Sequence, residues 1–127
     1  MNSVFYISVV QLHERVGLAY NGEASQIDCA INIDGVYSVR MTECSDDYLV
    51  MSATLCEVVP SVALSLMKRN LVQGFVGQYV LAITECGDRL VVWRGVNGEA
   101  LKHTSLLNIF DAFADYVDAL LEELKRC

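Results

Sequence analysis

The sequence predicts an α+β fold in the order α-β-β-β-α-β-β-α, with a mostly antiparallel twisted sheet packed against helices. Three patterns carry the prediction. Residues 27–41 alternate between apolar and polar on both sides of Asp34-Gly35, the signature of a β-hairpin. Both ends of the chain repeat apolar residues at helical spacing. A segment opening on the only proline, Pro60, separates the first three strand-like runs from two later ones. Antiparallel strands with helices inserted between them mean α+β, whereas a doubly wound sheet would alternate strand and helix throughout.

Phe5, Val9, Leu12 and Val16 fall at steps of 4, 3 and 4 and make one face of a helix over residues 4–16, which Gly17 can stop. His13 is read on its polar side, beside Glu14 and Arg15. Asn21-Gly22 and the polar residues after it form a loop. Ile27, Cys29, Ile31 and Ile33 share one side of the first strand, and Tyr37, Val39 and Met41 one side of the second. Asp34-Gly35 joins them because both central positions of such a turn need positive φ. A polar turn over 44–47 leads to a longer strand over 48–58. Pro60 suits a first helical position, where a missing N–H costs nothing. In the following SVALSLMKRNLVQ, Leu64, Met67 and Leu71 form one apolar face and Val62 and Leu66 another. A helix apolar on two sides is buried on two sides, so one side is free for a second molecule. Gly74 and Gly77 end it. Strands over 79–84 and 90–94 follow, joined by a turn at 85–88, with a further tight turn at Asn97-Gly98. Thr104 or Ser105 can cap the last helix, where Leu106, Phe110, Phe113, Val117, Leu121 and Leu124 repeat at helical spacing. Asp111, Asp115, Asp118 and Glu122 line its solvated face.

The whole chain, 1–127, reads as a single domain. Hydrophobic residues make up 54% and charged residues 20%, a balance opposite to that of disordered chains. So apolar a small chain leaves greasy surface over, which calls for an oligomer, a partner or both. Nine Lys and Arg stand against sixteen Asp and Glu, for a net charge of −7. With basic pairs only at Lys68-Arg69 and Lys125-Arg126, partners that are nucleic acid or anionic membrane are excluded. No stretch has the length and apolarity of a membrane helix and no secretory signal is visible, so a cytoplasmic protein is expected.

Signatures of chemistry are missing from the sequence: no nucleophile elbow, no phosphate loop, no zinc-protease pair. Five cysteines (29, 44, 56, 86 and 127) are odd in number, without a CxxC or a neighbouring histidine, and read as reduced thiols. No catalytic residue, metal ligand or cofactor is assigned, and the protein is not expected to be an enzyme. Trp93 is either core or an exposed interface anchor. The first helix, apolar on more than one side through Tyr6, Ile7 and Val10, can form a groove with the first three strands that takes an extended peptide. A small α+β ligand-binding domain or a regulatory adaptor is the alternative.

The element order, acidity and size resemble the class I type III secretion chaperones of the Tir-chaperone type, over nearly the whole chain. Val16-Gly17-Leu18 resembles the ending of that family's first helix, and Ile27 to Val39 its strand–turn–strand built on an acidic turn. Leu66-Met67-Lys68-Arg69-Asn70-Leu71 resembles its second helix, with an aliphatic pair followed by asparagine. Gly77 to Ile83 looks like its glycine-led strand, and 104–124 its closing helix. Where the family often carries a Leu-Pro-Leu-like element, this chain has Val96-Asn97-Gly98-Glu99-Ala100-Leu101. The resemblance implies a bacterial cytoplasmic dimer, a homodimer or a heterodimer, that binds the N-terminal segment of a secreted effector in extended form and hydrolyses no nucleotide. It implies an effector surface on the first helix and strands 1–3, assigned to Phe5, Val9, Ile31 and Val39. The dimer interface on the second helix is assigned to Val62, Leu66 and Met67.

Overall fold

In the computed structural model, residues 2–45, 47–73, 79–85 and 87–125 are described, the side chains of 71–73 excepted. The elements are α1 (Tyr6–Arg15), β1 (Asp28–Ile33), β2 (Tyr37–Ser45), β3 (Tyr48–Glu57), α2 (Pro60–Gln73), β4 (Val80–Ile83), β5 (Arg89–Asn97) and α3 (Leu106–Lys125), with a short 3-10 turn at Ala100–Lys102. The expected order is therefore the observed one. The expected helix stop at Gly74 and Gly77, the outward face of Leu71, and Cys86 and Cys127 lie outside the described residues.

The five strands form one antiparallel sheet in the order β1-β2-β3-β5-β4. Period-two patterning puts the apolar side chains on one face. Ile31 pairs with Val39, Met41 with Met51, Leu49 with Val96, and Val92 with both Ala53 and Leu81, and all of these are buried. Above them lie the apolar stripes of α1 and α3, with Phe5, Val9, Leu12, Phe110, Phe113 and Val117 in the same core. Helix α2 lies against β4 and touches α3 through the ion pair Arg69–Glu123.

Local chemistry ends each element as its residues dictate. Gly17, at φ +79°, closes α1. The Leu18 N–H donates to the His13 carbonyl (2.8 Å) and the Gly17 N–H to that of Glu14 (3.1 Å), a Schellman motif that satisfies two orphan carbonyls. Asp34 and Gly35 both adopt positive φ, 53° and 72°. The Gly35 N–H donates to the Asn32 side-chain oxygen at 2.7 Å. Because Ile33 pairs with Tyr37, Val36 is left at the hairpin tip, exposed. Ser105 rather than Thr104 caps α3: its Oγ accepts the Asn108 N–H at 3.1 Å.

Two elements depart from expectation. Strand β5 runs to Asn97 rather than ending at Arg94, because Val96 and Asn97 pair with Leu49 and Tyr48 of β3. Arg94 shares the core-facing parity of Val92 and Val96, and its charge is accommodated by the Tyr79 ring, with its guanidinium carbon 5.9 Å from the centroid. Gly95 interrupts the apolar pattern because the Tyr48 ring lies across it, so a Cβ there would collide with that ring. Gly95→Ala is expected to displace Tyr48 and cost about 1 kcal/mol. In a Tyr48→Ala background the same change becomes neutral or stabilising, since glycine within a strand is itself unfavourable. Thermal denaturation of the four proteins checks this.

His13 is the second departure. It is buried, not on a polar side. Its Nδ1 donates to the Val9 carbonyl at 2.8 Å, and its ring packs 5.4 Å from that of Tyr20. The loop after α1 folds back over the helix, so a position that is polar by periodicity becomes interior.

Candidate interaction surface

The face of the sheet opposite the core divides by chemistry. On β1 and β2 it is polar: Arg40 and Asp28 form an ion pair at 3.1 Å, Thr42 donates to the same carboxylate at 3.4 Å, and Asn32 donates to Ser38 at 3.3 Å. Arg40 holds the Asp28 carboxyl below the usual carboxylate range. On β3, β5 and β4 the same face is apolar, with Val50, Val80, Val91 and Trp93 half-buried. Trp93 pairs with Val80 and Ser52, so it belongs to this outer face and not to the core.

The four residues assigned to an effector groove are brought together, but as interior. Phe5, Val9, Ile31 and Val39 are all within the core between α1 and the sheet. Side chains of the same segments that reach the surface are Val4, Ile7 and, at the hairpin tip, Val36, each more than 60% exposed. Periodicity finds the apolar stripe of a helix, and in α1 that stripe is the core face. Ile7 lies off the stripe and is largely exposed. A groove of about 730 Å³ lies on the far flank of α1, between Gln11, Leu12 and Arg15 and the 101–107 segment. A shallower one of about 440 Å³ runs past Glu23, Gln26, Asp28 and Thr42 at the start of β1.

Helix α2 does carry two apolar sides, although they divide differently from the expectation. Leu66 is 6% exposed and packs into its own chain's core. Val62 and Met67 are half-buried against it. Leu64, at 62% exposed, and Val59 just before the helix face outward.

Cys29 is half-buried on β1, while Cys44 and Cys56 are exposed. Burial, helped by the Asp28 charge, pushes the Cys29 thiol from an ordinary 9.0 up to about 11, which removes the thiolate that reacts at neutral pH. Iodoacetamide at pH 8 is expected to label Cys44 and Cys56 first and to spare Cys29, as read by peptide mass spectrometry. Because the folded value is raised, the stability contributed by keeping this thiol neutral is complete below about pH 9. It is lost as pH rises through about 11.

Among the described residues there is no grouping of three or more His, Cys, Asp or Glu placed to hold a metal, and no helix is long and apolar enough to cross a membrane. Exposed aliphatic side chains stand at Val4, Ile7 and Val36, and again at Val59 just before α2 and Leu64 on it. Residues 10–121 match the Tir chaperone protein (CesT) family, and the chain belongs to that family. Its fold is shared with a solved type III secretion chaperone and with two further solved complexes. SycH of Yersinia pestis, solved with a stable fragment of YscM2, is 17% identical with a TM-score of 0.71, over 93% of this chain and 98% of that one. The ExoT–SpcS complex of Pseudomonas aeruginosa gives 18% and 0.65 over 96% and 98%. The ExsC–ExsE complex gives 13% and 0.70 over 94% and 91%. No curated protein matches the sequence. The family is one of chaperones.

Proposed function

We propose that the chain is a cytoplasmic, dimeric type III secretion chaperone that holds the N-terminal segment of a secreted effector in extended form and keeps it ready for export. Membership of the Tir chaperone family carries this reading, and the exposed aliphatic residues beside β1 support it. Extended segments bind by adding a strand to a sheet edge and lodging alternate side chains in apolar depressions. Strand β1 is such an edge, and Ile7 and Val4 of the adjoining α1 region stand exposed. Phe5, Val9, Ile31 and Val39 would form the buried backing that shapes this surface. The whole of 1–127 acts as one domain, since all three helices and the sheet contribute to one core. The partner copy covers α2, with Leu64 and Val59 meeting it directly, Val62 and Met67 at the margin, and Leu66 supporting them from within.

A tagged pull-down from the native bacterium tests the reading. One dominant secreted protein, held through a protease-sensitive N-terminal segment, is expected; recovery of the chain alone would sink it. With the client in hand, Ile7→Asp should weaken its binding at least tenfold, because a charge replaces a desolvated aliphatic contact. The melting temperature should stay within a degree or two, as Ile7 is 68% exposed. An unchanged affinity removes α1 from the client surface.

A further inference from the structure

We infer that Asn70 closes the β4 edge of the sheet to strand addition, so that an extended segment enters at β1. The client part of this inference rests on the function proposed above; the closure itself does not.

An open five-stranded sheet has two edges, here β1 and β4, and each presents backbone groups that a further strand can pair with. The Thr84 N–H donates to the Arg89 carbonyl at 2.9 Å, so even-numbered residues of this strand face β5. The N–H and C=O of Leu81 therefore point out of the sheet. One side chain takes both. Leu81 N–H donates to Asn70 Oδ1 at 2.9 Å, and Asn70 Nδ2 donates to the Leu81 carbonyl at 2.7 Å. A carboxamide carries an acceptor and a donor side by side, as the backbone of a neighbouring strand does, so Asn70 stands in for one residue of a sixth strand. No other side chain of its size does this: aspartate offers only acceptors, and leucine offers neither. The strand it guards is four residues long, so a single bracket at Leu81 occupies its middle.

The β1 edge is different. The Glu43 N–H donates to the Ile27 carbonyl at 2.9 Å, so odd-numbered residues face β2 and Asp28, Ala30 and Asn32 direct their backbone groups outward. Among the described residues no side chain brackets Ala30, which is exposed. The asymmetry makes Asn70 a positioning residue for partner choice: it decides which edge is available.

Two variants and a control test this. In Asn70→Ala the Leu81 amide should exchange with solvent at least tenfold faster than in the natural protein, while the Val92 amide within β5 keeps its protection. Sedimentation should reveal a species larger than the natural assembly that grows with concentration, as opened β4 edges pair. Asn70→Asp keeps the acceptor for the Leu81 N–H but sets a carboxylate oxygen against the Leu81 carbonyl, so its Leu81 amide should also exchange faster; if Asn70→Ala fails to fold, unchanged Leu81 exchange in Asn70→Asp overturns the bracket. Ile109→Ala, which loosens the core from α3, should lower stability without forming the larger species. Unchanged Leu81 exchange in Asn70→Ala, or equal self-association in Ile109→Ala, overturns the inference. Exchange at Leu81 needs no client, so failure of the natural protein to bind one would count against the proposed function alone.

Discussion

Phe5→Ala is expected to lower the stability of the chain by about 3–5 kcal/mol, the range for emptying an aromatic site in a packed core. Phe5 is fully buried, just ahead of α1. Its N–H donates to Ser3 Oγ at 3.1 Å, and its carbonyl accepts the Val9 N–H at 2.9 Å. These backbone bonds mark the start of the helix, and the buried side chain seats it in the core. For a domain of this size, each kcal/mol moves the melting temperature by about 4 °C, so a fall of about 12–20 °C is expected. Folded domains are stable by only about 5–15 kcal/mol, so Phe5→Asp, which adds an unpaired buried charge to the cavity, should not fold at all. Client binding by either variant would fail together with folding, in contrast to Ile7→Asp. Calorimetry on the purified variants decides it. A Phe5→Ala protein that melts within two degrees of the natural one would mean that Phe5 is not a core residue in solution.

The second large effect is a contrast between neighbours on α2. Leu64→Asp is expected to leave the chain folded and, in the dimer proposed above, to raise the dissociation constant at least a hundredfold. Burying a leucine contributes roughly 1.5–3 kcal/mol, a twofold seam loses it twice, and each 1.4 kcal/mol is about tenfold in affinity. Leu66→Asp is expected to be insoluble or unfolded, because Leu66 packs beneath the helix in its own chain and a carboxylate there has no partner. Sedimentation equilibrium with circular dichroism separates the two outcomes. If Leu64→Asp remains as dimeric as the natural protein, the seam lies elsewhere, and the apolar outer face around Trp93 becomes the surface to mutate next.

The comparison of these two leucines shows where reading residues in order succeeds and where it stops. Periodicity detects that α2 is apolar on two sides, and that is how the structure has it. Which side belongs to the chain's own core is set by how the helix rolls against β4, and one contact that sets it is the Asn70 bracket on Leu81. Nothing in the spacing of Val62, Leu64, Leu66 and Met67 encodes that roll. The same holds for α1. Its stripe of Phe5, Val9 and Leu12 was legible, and α3 and the sheet take up that stripe entirely, so the surface that remains for a partner is made by residues off it. By spacing His13 falls on the polar side, yet it is buried, with Tyr20 of the following loop packed against its ring.

The turn chemistry and strand parity were legible throughout, because each depends on a few adjacent residues. Asp34-Gly35 supplies two positive φ angles, Gly17 ends α1, Pro60 opens α2 and Ser105 caps α3 through interactions spanning no more than five residues. The order of elements and the alternation within each strand follow from such local terms; which side of the sheet is covered, and that Trp93 lies on the other side, do not. What only the tertiary structure decided is what becomes of the surplus apolar surface. The choice of covered face, the closed edge at β4 and the exposed places of Ile7 and Leu64 arise from contacts between residues far apart in the chain. Hydrophobic burial is non-directional: a sequence states how much surface must be covered, and only the packed fold states which surface is left.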